Sequence, residues 1–364
     1  MSSFGQLFKI TTFGESHCDS VGVIVENMIP KVQLDLVYIQ KQLNRRRPGQ
    51  SHITTSRAEP DTLELLSGME RGMTLGTPLA FRVENRDTRP GDYKFDENEY
   101  LPRPSHADMT YIWKYGIHSA SGGGRSSARE TVGRVIGGSI ADQILGNCNC
   151  RVVAFVSQVG NIRLNVSRKD MLALTRDFID TFVTRCPNGA ADKRIESLIL
   201  KLKKKGDSVG GKVTCIVTAP PKGLGEPVFN KTEALLAHAM LSIPATKGFE
   251  IGSGFGCIQQ TGSEHNDPWI TDNSGNIRTL TNNSGGTLGG ITNGEPIIFS
   301  VAFKPPATIK MDQNTVNLKG EYRRIKAKGR HDPCVVARAV PIVEAMASLV
   351  LVDLIYQHRS RLTL

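Results

Sequence analysis

Apolar residues recur at helical spacing in six stretches of the chain, at residues 36–46, 109–115, 127–145, 192–205, 232–241 and 341–358. The 127–145 stretch carries Ala128, Val132, Val135, Ile136, Ile140 and Ile144 on one face. It opens with Ser127-Ala-Arg-Glu130, a Ser-x-x-Glu pattern that predicts a capping box and a helix start at Ser127. In 192–205 the face is Ile195, Leu198, Ile199 and Leu202. Lysines at 201, 203, 204 and 205 crowd the last turn before Gly206, where they complement the helix dipole and read as a solvated helix end. The most apolar run, 340–355, is interrupted by Glu344, Ser348 and Asp353, which predicts a buried core helix and not a membrane span. Short β-branched runs at 8–12, 21–25, 152–156, 213–217 and 297–301 predict strands. The glycines gather in loops at 122–124, 210–211, 252–256 and 285–290. Candidate functional loops therefore come from every third of the sequence, and no linker or repeat divides it. One site assembled from distant segments is the economical reading.

Composition narrows the partners. With 364 residues, 39% apolar and 22% charged, the chain has the makeup of a soluble globular protein. A net charge of +10 leans toward anionic ligands, and the excess gathers at Arg45 to Arg47, 201–205 and 323–330. Aromatics make up only 6%, and no nucleic-acid-binding motif is present, so nucleic acid is not an expected partner. The seven cysteines form no Cys-x-x-Cys pair, which argues for free thiols in a reducing cytosol and for no metal site. Residues 1–8 lack the basic and apolar regions of a secretory signal, so a cytoplasmic location without membrane association is expected.

Five segments carry candidate chemistry. Three glycines, Gly122 to Gly124, feed the predicted helix start, and Arg125 and Arg129 flank it. A glycine loop at a helix N-terminus suits a phosphate or carboxylate, although the same residues would also make an ordinary tight turn. His17, closing Gly14-Glu-Ser-His17, and His106, in Arg103-Pro-Ser-His-Ala-Asp108, are candidate proton carriers at neutral pH. Each taken alone reads more readily as a structural histidine, and Ser105 or Asp108 could cap the helix that follows His106. In Arg330-His-Asp332, Pro333 favours an extended backbone that would project Arg330 and Asp332 from one face. A local ion pair is the plainer alternative. Lys304-Pro305-Pro306-Ala307-Thr308 is a stiff turn with one cation and one hydroxyl. No Gly-x-Gly-x-x-Gly opens a βαβ unit, and no P-loop spacing occurs.

Seven motifs stand in order: Phe13-Gly-Glu-Ser-His17, Arg45-Arg-Arg-Pro-Gly49, Arg103-Pro-Ser-His-Ala-Asp108, Gly122-Gly-Gly-Arg-Ser-Ser-Ala-Arg-Glu-Thr131, Gly206-Asp-Ser-Val-Gly210, Gly223-Leu-Gly-Glu-Pro-Val-Phe229 and Gly329-Arg-His-Asp-Pro-Cys334. Together they resemble the chorismate synthase family over nearly the whole chain. The resemblance implies an α+β fold, a sandwich with helices between β-sheets, as a single domain over residues 1–364 that forms homotetramers. It implies a 1,4-anti elimination of phosphate from 5-enolpyruvylshikimate 3-phosphate, giving chorismate, with reduced FMN as cofactor and NADPH as its reductant in some members. His17, His106 and Asp332 match catalytic positions. The residues matching substrate contacts are Ser16, Arg46, His52, Arg103, Ser127, Ala128, Arg129 and Arg330. Arg125, Ser126, Ser127, Pro244, Ala245, Gly289, Lys304, Pro305, Pro306, Ala307, Thr308 and Arg330 match flavin contacts. Four positions depart from the common pattern. Cys18 and Ser105 stand where many relatives have glycine, His52 where many have a phosphate-binding arginine, and Pro306 where threonine is common.

Overall fold

The computed structural model describes residues 2–55, 57–87, 100–117, 123–327 and 331–362. Alternating apolar and polar positions build two antiparallel five-stranded sheets. The first is made of β1 (Ser3–Phe4), β2 (Lys9–Gly14), β3 (Ser20–Glu26), β4 (Glu64–Ser67) and β5 (Leu79–Glu84), in the order β1-β2-β3-β5-β4. In β5 the alternation is complete, with Leu79, Phe81 and Val83 buried. The second sheet holds β6 (Arg151–Val159), β7 (Ile162–Arg163), β8 (Gly211–Thr218), β9 (Thr246–Ile251) and β10 (Ile297–Phe303), in the order β9-β10-β8-β6-β7. Five consecutive buried residues make β8 a strand covered on both faces.

Helices fill the space between the sheets. The helix α1 (Leu36–Arg46) is followed by α2 (Asp108–Tyr115), α3 (Thr131–Gly146), α4 (Gly189–Lys205), α5 (Thr232–Leu241) and α6 (Val336–Leu362). One face of α3 lies on β2 and β3, and its other face meets α6, which in turn covers β6 and β8. Glycines set these distances. A Cβ on Gly133 would fall 2.8 Å from the Thr12 side chain, and one on Gly138 would fall 2.3 Å from the Cβ of Ala345. The helix touches sheet and helix at backbone range because those side chains are missing.

The long helix α6 has the length and apolar character to cross a membrane, yet nearly all of it is buried inside the protein, as the sequence pattern predicted for a core helix. It keeps going through Pro341, whose ring removes the N–H that would bond the Ala337 carbonyl. Arg185 supplies the missing donor, its Nη1 bonding Ala337 O. Near the other end, the Asp353 carboxylate accepts from the backbone N–H of Gln6, Leu7 and Phe8 at 3.0, 2.7 and 2.9 Å. This ties the N-terminal segment to the last helix. Midway along, Glu344 accepts from Arg45 Nη1 at 2.5 Å and from Ala154 N at 2.9 Å, joining α1 and β6 to α6.

The predicted helix at 127–145 begins differently from expectation. Ala128–Glu130 is a 3-10 turn, and the α-helix starts only at Thr131. Ser127 accepts from the Arg129 N–H at 3.2 Å, but Glu130 does not reach back to close the box. Its carboxylate instead takes Thr12 Oγ1 at 3.1 Å and pairs with Arg134 at 3.0 Å, tertiary partners that outcompete a local cap. Strands β1, β4, β5, β7 and β9 lie outside the predicted runs.

Candidate active site

The C-terminal end of α1, the turn after β2, the loop before α2, the glycine loop before α3 and the chain entering α6 meet at one cavity of about 1210 Å³. Ligand pockets usually measure about 300–1,000 Å³, so this one has room for two small molecules. Basic residues outnumber acidic ones two to one in its wall. Ile243, Phe303, Ala339, Ile342 and Met346 give the wall an apolar part.

The arginine run Arg45 to Arg47 splits three ways. Arg47 is exposed, Arg45 turns into the ion pair with Glu344, and Arg46 enters the cavity wall at 1% exposure. Burial pulls the Arg46 pKa down to about 10, which leaves it a cation at neutral pH. Its Nη2 pairs with Asp61, a fully buried carboxylate that also pairs with Arg129 Nη1. Burial would raise the Asp61 pKa, but the two guanidinium groups outweigh it and hold the carboxyl below its usual range. Arg129 is further fixed by Asn85 Oδ1 at 2.6 Å and the Glu84 carbonyl at 3.1 Å. Two buried polar atoms in this wall, Arg46 Nε and Ser16 Oγ, have no hydrogen-bond partner among the described residues. A buried donor of that kind costs free energy until something bonds it, so the wall is built for an oxygen-rich ligand.

On the other side of the cavity, Arg103 forms a bidentate pair with Asp108, Nε to Oδ2 at 2.8 Å and Nη2 to Oδ1 at 2.7 Å. His106 Nδ1 lies 2.6 Å from the same Oδ1. Asp108 therefore does not cap α2. Ala107 holds the cap position without a side-chain bond, and the carboxylate faces back toward the loop. Burial pushes the Asp108 pKa up, but hydrogen bonds from Arg103 and His106 outweigh this and hold it well below the usual carboxylate range. Gly123 fits against the imidazole, where a Cβ would stand 3.5 Å from His106 Cε1. Lys304 Nζ donates to the Ser105 carbonyl at 2.6 Å, and the Arg103 Nη1 reaches Thr308 Oγ1 at 3.4 Å.

The cavity brings together the expected residues Ser16, His17, Arg46, Arg103, His106, Arg125, Ser126, Ser127, Ala128, Arg129, Pro244, Ala245, Lys304, Pro306, Ala307, Thr308 and Asp332. Arg125 reaches it with its guanidinium already bonded to Gly14 O at 2.7 Å and Thr12 Oγ1 at 2.6 Å, so it braces the loop and does not offer an open fork. Asp332 pairs with Arg338 and accepts from Thr55 N at 2.8 Å. Arg330, its expected companion, lies outside the described residues, as does Gly122. Three expected residues are not in the wall. Pro305 is passed over between Lys304 and Pro306, and Gly289 is exposed with open space before it. His52 corrects a further expectation, since its imidazole turns outward to Glu196 Oε1 at 2.5 Å. Lys203 Nζ holds the carbonyls of His52 and Thr54 at 2.8 and 2.9 Å, which fixes the loop in that orientation. Sequence reasoning missed Arg57, Arg134 and Arg338, all in the wall. Only the four-residue spacing from Glu130 to Arg134 offered a signal, and it marks a helix pair, not a pocket.

Comparison with known proteins agrees with this geometry. The sequence profile described as chorismate synthase matches residues 8–356. The chain belongs to the chorismate synthase family. A chorismate synthase of Synechococcus sp. (strain WH7803) is 53% identical over 364 residues, covering all of this chain and 99% of that one. One from Saccharomyces cerevisiae is 52% identical over 370 residues, covering 99% and 98%. A solved structure titled as a crystal structure of chorismate synthase superposes with a TM-score of 0.77 at 28% identity, covering 98% of this chain and 93% of that one. Chorismate synthases catalyse the last step of the shikimate pathway, so the chain is an enzyme acting on a small molecule, in a family that needs reduced flavin. The α+β sandwich expected from the motifs is the fold observed.

Proposed function

We propose that the cavity holds 5-enolpyruvylshikimate 3-phosphate against reduced FMN, and that the residues gathered around it carry the elimination of phosphate. The observation that carries this reading is the pair of buried, unbonded atoms Ser16 Oγ and Arg46 Nε in a wall rich in guanidinium groups. A substrate with one phosphate and two carboxylates gives them partners and meets the surplus of positive charge. The apolar part that includes Ile243, Phe303 and Met346 suits a flat ring system, with Pro244, Ala245 and Lys304 at its edge. Reduced FMN, when bound, supplies an electron-rich ring to a reaction that is redox-neutral overall.

The chain's own residues then take distinct parts. Arg46 and Arg129, held at a fixed spacing by Asp61, grip the substrate's anionic groups. His17 gives a proton or hydrogen bond to the departing phosphate oxygen, which makes it a better leaving group. His106 holds a proton beside the flavin subsite, and Asp332 accepts the proton lost from carbon. Supporting a single domain, one continuous core runs through both sheets and the helices between them. Exposed Phe229, Phe255 and Ile258 offer apolar surface for a homotetramer, which light scattering would detect. A cytoplasmic location fits the free cysteines, and fractionation would test it.

The test is turnover measured anaerobically with reduced FMN. His17→Ala and His106→Ala should each lower kcat by roughly 10²–10⁴-fold. Ser16→Ala should weaken substrate binding by roughly tenfold or more. Wild-type turnover in either histidine variant removes that residue from the mechanism. An aerobic assay with NADPH as sole reductant shows whether the chain reduces its own flavin.

A further inference from the structure

The contacts around His106 fix which of its nitrogens faces the ligand. His106 Nδ1 and Arg103 Nη2 both approach Asp108 Oδ1, at 2.6 and 2.7 Å, and lie 3.1 Å from each other. A guanidinium nitrogen can only donate, and an ionised carboxylate can only accept. If Nδ1 were the acceptor of a bond from Arg103, its lone pair would face a carboxylate oxygen at 2.6 Å. With a hydrogen on Nδ1, both nitrogens donate to one oxygen and no lone pairs clash. Asp108 is itself held in place: it is buried, Arg103 Nε donates to its Oδ2 at 2.8 Å, and the Arg103 backbone N–H adds a fourth nitrogen donor at 2.9 Å.

We infer that Asp108 is a positioning residue that locks His106 as the Nδ1–H tautomer and leaves Nε2 as the nitrogen that carries protons at the cavity. The same carboxylate holds Arg103, so the substrate-binding cation and the proton-carrying ring move as one unit. The inference rests on the proposed role of His106 and adds which atom acts and what holds it. Neutral His106 offers the ligand a lone pair at Nε2, and the imidazolium offers an N–H there. Three groups set the local charge among the described residues. Arg103 and Asp108 touch the ring, Lys304 reaches it through the Ser105 carbonyl, and Tyr100 lies against Asp108 as a neutral phenol whose pKa burial pushes up.

The deciding measurement is the ¹⁵N spectrum of ¹⁵N-histidine-labelled, flavin-loaded enzyme, with the His106 signals assigned by their loss in His106→Gln. The Nδ1–H tautomer is expected in the wild-type chain, and an Nε2–H signal overturns the inference with no variant needed. In Asp108→Asn the tautomers should mix and kcat should fall by roughly 10²–10⁴-fold. Asp108→Glu should recover part of that loss. An Asp108→Asn enzyme that keeps the wild-type tautomer also overturns it. His106→Ala separates the two layers: wild-type turnover there sinks the role of His106 itself, whereas a slow His106→Ala beside an unaltered Asp108→Asn sinks only the role of Asp108.

Discussion

Ser105 holds its backbone at φ +59°, the left-handed region that disfavours any residue with a Cβ. Glycine, which the family resemblance implies at this position, would adopt that angle without strain. Ser105→Gly should raise stability by up to about 1 kcal/mol, read as a higher urea midpoint at unchanged m, because relieved strain exceeds the extra flexibility of the unfolded chain. Cys18, the other residue standing in for glycine, carries no positive φ, so a glycine there gains nothing of this kind. The thiols divide just as clearly. Burial pushes Cys150, Cys186 and Cys334 up to about 12, while Cys18 and Cys257 are exposed. A thiol reagent near neutral pH should label Cys18 quickly, and those three only after denaturation. The residue types of the site were legible in the sequence, as Ser16, His17, Arg46, His106 and Asp332 all reach the cavity. Their partners were not. Asp61 and Arg338 sit in no motif, and only folding brings them beside Arg46 and Asp332.

Among the elements, α6 bears the most constraints. Its Gly138–Ala345 contact with α3 leaves no room for a methyl group, so Gly138→Ala should destabilise by roughly 1–3 kcal/mol, visible as a lower melting temperature. Asp353 satisfies three backbone N–H groups of the N-terminal segment. Asp353→Ala should cost about 2–4 kcal/mol and open residues 6–8 to hydrogen exchange before the rest of the sheet. Helix positions were well marked in the sequence. Predicted spans 36–46 and 232–241 match Leu36–Arg46 and Thr232–Leu241, the first on its apolar stripe and the second on its run of helix-forming Ala, Leu and Met. The start of α3 was misread because Glu130 found Thr12 and Arg134, tertiary partners invisible to a local pattern. Strand β9 was missed because Lys247 interrupts the apolar face of Phe249 and Ile251 and Gly248 is a poor strand former, while its pairing with β10 supplies what the pattern lacks.

At the scale of the molecule, the buried carboxylates make stability depend on pH in a definite direction. Asp61 and Asp108 both titrate below the ordinary value of 3.8 in the folded chain. Their contribution is complete above that value and is lost as pH falls through the lower folded-state pKa values, because the unfolded chain takes up protons first. Urea midpoints should therefore drop as pH is lowered below about 4, and Asp108→Asn should flatten part of that slope. The sequence by itself determined the mixed α and β elements, the cationic character and the side chains available for chemistry, since periodicity, charge and side-chain chemistry are local properties. Tertiary structure alone decided that two sheets would enclose the helices, that Arg45 and Arg46 would face opposite ways, that His52 would turn out to Glu196, and which nitrogen of His106 is free. Those outcomes depend on which distant groups become neighbours, and that is settled by packing and by satisfying every buried charge at once.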